Sequence, residues 1–362
     1  MKSRKIVVWN VVFILFFAIM LSACSSSKPA ASGTTAAPSN QATAAATSAN
    51  KSGPNLKVGY ASSANSLPMA LTPENAKNVN LEAVKFTNGT DVLTALVSKS
   101  IDFGQVTYLT YITALDKGFD VVAISGEVNG GSELILAPGI DVKADDWEGL
   151  KAVIADYKKQ NKPFVVGNSR GTAQDIELRG ELVQHGIDPL KDVQITNIPN
   201  QADHEAALKK GEVQMLSTVE PFASQMRLNN SGKHFSYPYD TAAGNLVNLV
   251  ITRKDVINDH PKEVEETVAS IVKVVDSITT DKSAWLQVIK KLTSLDDKVG
   301  AEAVKNGYPD YKMYHKQTLA IVGMMKDLKY ITNDVTDKAD KNMDYTFLSK
   351  VTGKPKEQLG YN

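Results

Sequence analysis

Residues 164–183 constrain the fold of this chain more than any other stretch. Phe164 to Val166 reads as a buried strand, Gly167 to Gly171 as a glycine-rich turn, and Thr172 to Val183 as a helix that Gly186 ends. Thr172 stands at the N-cap with Asp175 three residues on as its capping-box partner. Ile176, Arg179, Gly180 and Val183 then fall on one helical face. A helix start of this kind offers unpaired N–H groups and the positive end of its dipole to an anion. Arg170 adds a guanidinium able to fork onto a carboxylate or sulfonate. The same residues fit a second pattern. Gly167, Ser169 and Gly171 form G-x-S-x-G, the nucleophile elbow of esterases, in the strand–turn–helix setting it needs. A plain connection with a solvent-facing Arg170 is the third reading.

Around this stretch strands and helices alternate. Leu56 to Tyr60 predicts a strand, Ala61 to Ser66 a polar loop, and Pro68 lies in the first turn of a short helix. Further strands are expected at Leu81 to Phe86, Ile101 to Phe103, Val121 to Ser125 and Leu134 to Ala137. Helices are expected from Asn88-Gly89-Thr90 onward and from Tyr108 to Leu115. A second series follows: a helix from Asp146 to Gln160, the opening stretch, a strand at Val193 to Asn197, a helix from Asp203 to Lys210, and a strand at Val213 to Ser217. Spacing of this kind implies parallel βαβ units.

The two series repeat one unit. Asn88, Asp91, Ala95, Leu96, Ile101 and Phe103 match Asn200, Asp203, Ala207, Leu208, Val213 and Met215 at a constant offset of 112 residues. Two lobes of like architecture are therefore expected. After a polar region (Asn229 to Asn245) comes a strand at Leu246 to Thr252. His260-Pro261 then opens a long helix whose apolar stripe runs through Val264, Val268, Ile271, Val275 and Ile278. Helices around Trp285 to Leu292 and Lys316 to Lys329 follow, with little strand signal, as packing around a lobe.

The N-terminus is of a different kind. Lys2, Arg4 and Lys5 precede an apolar run from Ile6 to Leu21, the pattern of a secretory signal. It ends in Leu21-Ser22-Ala23-Cys24, which resembles the lipobox of bacterial lipoproteins, with Cys24 as the acylated residue. Ser25 to Pro54 holds no aromatic residue and cannot build a core, so it reads as a flexible tether. Cys24 is the one cysteine, which leaves no internal disulfide. The five histidines (His185, His204, His234, His260, His315) form no i, i+4 pair, so no metal site and no cofactor are expected. The chain carries 40 basic and 40 acidic residues. Without the three basic residues of the signal the balance is 37 to 40, and no basic stripe suggests nucleic acid.

The order of these features resembles a known family. Lipobox and tether are followed by Val58-Gly59-Tyr60, Asn88-Gly89, Ile101-Asp102-Phe103-Gly104, Gly167 to Thr172, Ala207-Leu208, Glu220-Pro221-Phe222 and the His260-Pro261 helix start. The chain is similar to solute-binding lipoproteins of ABC importers in the nitrate/sulfonate/taurine and thiamine-pyrimidine group of type 2 periplasmic binding proteins. The resemblance covers nearly all of the chain after Cys24. It implies an α/β fold of two lobes joined by two crossover strands, near Glu133–Ala137 and Leu246–Thr252, with a helical C-terminal region. The implied division is 1–23 signal peptide, 24–54 lipidated cysteine and tether, 55–136 with 246–362 as lobe 1, and 137–245 as lobe 2.

It further implies a monomeric, non-enzymatic protein. Such a protein is lipid-anchored on the extracytoplasmic face of the cell membrane and hands a small polar or anionic solute to an ABC permease. In open α/β sheets ligands bind beyond the carboxyl ends of strands. That rule selects Ser62, Ser63, Asn65, Asn88, Gly89, Thr90, Thr107, Tyr108, Ser169, Arg170, Gly171, Thr172 and Glu220. Tyr60, Tyr108 and Phe222 could stack on a planar ligand, with core packing the expected fate of Phe222. A sulfonate bearing an amine, or an aminopyrimidine, would satisfy both Arg170 and Glu220. The alternative is a secreted serine esterase with Ser169 as nucleophile and Glu220 or Asp240 with His260 as partners. A sensing lipoprotein without transport is a third class.

Overall fold

The computed structural model describes residues 53–362. The signal-like segment, Cys24 and the tether as far as residue 52 lie outside the described residues. No helix among the described residues is long and apolar enough to cross a membrane.

Among the described residues the strands, in chain order, are β1 (Asn55–Tyr60), β2 (Asn80–Lys85), β3 (Phe103–Thr107), β4 (Val121–Gly130), β5 (Ser132–Leu136), β6 (Val165–Asn168), β7 (Gln194–Asn197), β8 (Met215–Val219), β9 (Lys233–Ser236), β10 (Asn248–Arg253) and β11 (Gly307–Asp310). They form two sheets, ordered β11-β4-β10-β3-β1-β2 and β7-β6-β8-β5-β9. In the first, β1 lies parallel between β2 and β3, and β10 runs antiparallel beside β3. In the second, β6 lies parallel between β7 and β8, and β5 runs antiparallel beside β8.

The halves thus share one plan, and the sequence repeat falls where that plan puts it. β3 begins at Phe103 and β8 at Met215, the matched pair. Asn88 and Asn200 each cap the start of the helical segment that follows, Asn88 Oδ1 accepting from the N–H groups of Thr90 (2.9 Å) and Asp91 (3.0 Å) and Asn200 Oδ1 from that of Ala202 (3.2 Å). Ala95, Leu96, Ala207 and Leu208 are all buried.

The chain changes sheet at Gly130-Gly131, where φ is +77° and +90°, a conformation that residues with a Cβ rarely take. This joint precedes the crossover expected near Glu133–Ala137. β5 itself pairs wholly with β8 and β9. The return runs through residues 237–247 into β10. The long Pro261–Thr280 helix packs its stripe, Val264 to Ile278, into the same core as β1, β3 and β4, together with Trp285, Val322 and Leu348. The C-terminal helices belong to this first body. A separate core under the second sheet gathers Trp147, Ile154, Phe164, Leu178 and Phe235.

Four local expectations differ. The polar region contains β9, and the C-terminal part contributes β11. Around the Ala173–Gln184 helix the capping box is absent. Thr172 Oγ1 donates to Ser169 O (2.7 Å), while Asp175 accepts from Gly171 N (3.0 Å), Asn168 Nδ2 (2.5 Å), Arg179 Nε (3.0 Å) and Tyr330 OH (2.5 Å). The buried face of that helix is also rotated from the expected one. Ile176 is buried, but so are Gln174, Glu177, Leu178, Glu181 and Leu182, while Val183 is 55% exposed. The helix is wedged between the two bodies, so it buries more than one stripe.

Candidate solute-binding site

Between the two sheets lies a cavity of about 260 Å³. From the six-stranded half it is lined by Ala61, Ser62, Ser63, Asn65 and Ser66 after β1, Thr87 to Gly89 after β2, Gln105 to Thr107 at the end of β3, and Val247-Asn248 at the start of β10. The five-stranded half contributes Ser169, Thr172 and Gln174 after β6, Pro199 to Gln201 after β7, and Val219 with Phe222 after β8. None of these residues carries a charge.

What replaces charge is the convergence of helix starts. The Gly89–Val97 and Tyr108–Asp116 helices begin at the cavity on one side, and the Ala173–Gln184 helix and the Gln201–Asp203 turn on the other. Thr107 caps its helix through Thr110 N (3.2 Å). Thr172 sits at the N-cap of the Ala173–Gln184 helix but supplies no side-chain cap. The amides of Ala173 and Gln174 point out of the helix start without an intrahelical carbonyl to meet, as the first N–H groups of any helix do. Partial positive charge therefore reaches the cavity from both bodies. Amide side chains from Asn88, Gln105, Gln174, Asn200, Gln201 and Asn248 surround it. The caps hold Oδ1 of Asn88 and Asn200 and leave their Nδ2 donors for a solute, whereas Asn248 Nδ2 is held by Asn65 O (3.1 Å) and Val128 O (2.7 Å), which leaves its Oδ1 acceptor.

Of the thirteen residues selected from sequence, the structure brings eight to the cavity: Ser62, Ser63, Asn65, Asn88, Gly89, Thr107, Ser169 and Thr172. Five are not in its lining. Thr90 lies one step inside its helix, its N–H taken by Asn88. Tyr108 is buried in the first core, where its hydroxyl accepts from Tyr314 N (3.3 Å), and burial pushes that phenol well up. Gly171 and Arg170 form the outer side of the turn. Arg170 is exposed, and its main-chain N–H donates to Asn197 Oδ1 (2.9 Å).

Glu220 follows Val219, and successive residues of an extended segment point to opposite sides. Val219 lines the cavity, and Glu220 turns away into a buried ionic cluster. There it accepts from Ser224 N (2.9 Å) and Arg227 Nη2 (3.0 Å). Burial, with Glu133 adding to it, pushes the Glu220 carboxyl up to about 7 against the pull of Ser224 and Arg227. The aromatic expectations invert as well. Tyr60 and Tyr108 are core residues, and Phe222 is half-buried at the cavity.

Gln174, Pro199, Asn200, Gln201, Val247, Asn248 and Thr87 were not selected from sequence. For Asn200 a signal existed, because the repeat pairs it with Asn88. Arg170→Ala is expected to leave solute affinity within about twofold, since an exposed charge outside the cavity is screened. Titration calorimetry on the variant checks this.

Ser169 does not sit as an activated nucleophile. Its hydroxyl contacts Ile198 O (2.9 Å) and Pro199 O (3.3 Å) and lies 3.4 Å from His204 Nε2. His204 Nε2 faces the same Ile198 carbonyl (3.1 Å), and its Nδ1 meets the Thr218 hydroxyl (3.0 Å), where a triad would place a carboxylate. Glu220 is engaged by Arg227, and Asp240 lies beside His185.

The comparisons with known proteins agree with this architecture. The sequence model of the NMT1-like family matches residues 30–292. The chain belongs to the NMT1-like family. No curated protein matches it in sequence.

Solved structures show the fold this family member adopts. The periplasmic nitrate-binding protein NrtA of Synechocystis PCC 6803 superposes with a TM-score of 0.70 at 16% identity, covering 84% of this chain and 90% of that one. A ligand-binding component of an ABC-type import system from Staphylococcus aureus, solved with zinc bound, gives 0.67 at 16% identity, over 85% and 99%. The alkanesulfonate-binding protein SsuA of Xanthomonas axonopodis pv. citri, bound to MOPS, gives 0.65 at 15% identity, over 80% and 99%. The NMT1-like chain has the periplasmic binding protein fold.

Proposed function

We propose that this protein is the extracytoplasmic solute-binding lipoprotein of an ABC importer. In this reading it is anchored through Cys24 and closes its two bodies on a small polar or singly anionic solute. The observation that carries this is the cavity between the two sheets, uncharged throughout and met by helix starts from both sides. A cavity of about 260 Å³ is smaller than the ~300–1,000 Å³ of drug-sized sites, which points to a solute of few atoms. The fold is shared with proteins named for nitrate and alkanesulfonate binding and for ABC import, and the same classes are the first candidates here.

The lining narrows the choice. An oxyanion such as nitrate or a sulfonate group would be held by main-chain N–H groups and amide donors, and an aminopyrimidine by the same amides used both ways. A zwitterion such as taurine would find no carboxylate for its ammonium group, because Glu220 faces away. Solute contacting both bodies would favour the closed arrangement, with the joint at Gly130-Gly131 and the return at residues 237–247 as hinges. Closure would then present the loaded protein, as a monomer, to its permease.

The test is a melting series with nitrate, short alkanesulfonates, taurine and aminopyrimidines. A solute at 100 times its dissociation constant adds about 2.7 kcal/mol. Stabilisation by one monoanion or aminopyrimidine, with taurine weaker than the matching simple sulfonate, is the expected outcome. Stabilisation confined to cationic solutes would contradict the reading.

A further inference from the structure

The Ala173–Gln184 helix meets the cavity with its first turn, and at its other end an acid and a histidine stand one turn apart. Glu181 is fully buried. Its Oε1 accepts from the main-chain N–H groups of Asp240 (2.7 Å) and Thr241 (3.3 Å). Its Oε2 is equally buried and has no hydrogen-bond partner. That oxygen faces His185 Nε2 at 3.4 Å, and the nitrogen also makes no hydrogen bond. Asp240 Oδ2 stands 3.3 Å from the same nitrogen, and one donor atom from each of the three residues lies within 4.8 Å of the others.

We propose that Glu181, His185 and Asp240 form a binding site for a divalent transition-metal ion of the zinc class, separate from the solute cavity. Tetrahedral coordination with bonds of about 2.0–2.1 Å separates neighbouring donor atoms by about 3.3–3.4 Å. The two nitrogen-to-oxygen spacings here, 3.4 and 3.3 Å, match that edge length. An imidazole among the donors disfavours calcium and magnesium, which take oxygen ligands, and suits zinc and its neighbours.

The donors are also held in place from behind. The two amides on Oε1 leave Oε2 directed at the shared centre. The ring of His185 lies on Trp147, with centroids 4.0 Å apart and planes 5° apart. Such outer support is what fixes ligand orientation in metal sites. The Asp240 side chain is 59% exposed, which gives an ion access from solvent and leaves water the fourth position. Asp240 belongs to the return segment between β9 and β10, so a bound ion would fasten that segment to the helix that begins at the solute cavity.

The test uses the full-length chain, freed of metal with a chelator and titrated with zinc and cobalt(II) chlorides by calorimetry and melting. One zinc ion per chain should bind and raise the melting temperature, and cobalt(II) should give the intense visible bands of a four-coordinate site. Asp240→Asn and His185→Asn should each weaken zinc binding by more than the about 10–100-fold that loss of an outer-shell partner costs, and should abolish the cobalt bands. Cys24 is present in every variant and contributes equally. Should His185→Asn fail to fold, Asp240→Asn decides, because its carboxylate is exposed and its N–H to Glu181 is kept. Equal zinc affinity in wild type and Asp240→Asn, or equal stabilisation by magnesium, would overturn the proposal. In that case His185 stands between two carboxylates as an ordinary polar contact, and the reading of the solute cavity stands unchanged.

Discussion

Gln174→Glu should weaken binding of an anionic solute by about 100-fold or more. Gln174 is 4% exposed and lines the cavity at the second position of its helix. Its Nε2 donates to Ser132 Oγ (2.9 Å), and its Oε1 accepts from Gln201 Nε2 (3.4 Å). The change keeps the shape and replaces a neutral dipole with a carboxylate. Two like charges 4 Å apart repel by about 4 kcal/mol at an effective dielectric constant of 20, enough for the expected loss. Folding should survive, because an acid in the first turn is favoured by the helix dipole and the Ser132 hydroxyl can donate where it accepted. Calorimetry near pH 8 keeps the new carboxyl ionised. Gln201→Glu, nearer solvent, should show a smaller loss. An anion bound equally well by wild type and Gln174→Glu would remove the cavity as its site.

The second large effect concerns stability. Arg227 stands among three acids: Nε is 3.0 Å from Glu133, Nη2 is 3.0 Å from Glu220, and Nη1 is 2.9 Å from Glu302. Glu133 and Glu220 are almost fully buried, and His234 Nδ1 approaches Glu133 at 2.8 Å. Arg227→Ala removes the one guanidinium shared by all three, and breaking a buried pair by deleting one partner costs about 3–5 kcal/mol. Urea denaturation measures this directly.

The pH dependence follows from Glu220, whose carboxyl is already up at about 7. A carboxyl raised in the folded state holds more protons there than in the unfolded chain, so its contribution falls as pH rises from the ordinary carboxylate range to about 7. Without Arg227 this penalty deepens. The deficit of the variant should therefore be larger at pH 8 than at pH 5. A deficit under about 1 kcal/mol at both would show the cluster to be no more than a surface-type bridge.

Much of the fold was legible because its strands are apolar runs broken by glycine turns and because one unit occurs twice. The 112-residue repeat predicted two like bodies, and β3 and β8 hold equivalent places in their sheets. β9 and β11 were not legible for a physical reason. Both are edge strands that pair on one side only, so neither needs a continuous apolar run, and β11 carries Pro309, which an edge tolerates.

The site was half legible. Capping residues and loop serines announced themselves as helix starts, but Arg170 and Glu220 drew attention by charge alone. Whether a charged side chain faces a cavity depends on the sense of its strand or turn, and Val219 against Glu220 shows that one position reverses the answer. The Glu181–His185–Asp240 cluster lay beyond a search for histidine pairs, because its third member joins through tertiary packing 55 residues further on.

The most direct test of solute capture is an equilibrium titration of the wild-type chain with the solute panel, followed by recovery of the bound molecule. One solute per chain, recovered chemically unchanged and still bound by Ser169→Ala, at most more weakly, is the predicted result. A solute that is consumed, with turnover lost in Ser169→Ala, would contradict the account and make Ser169 a nucleophile.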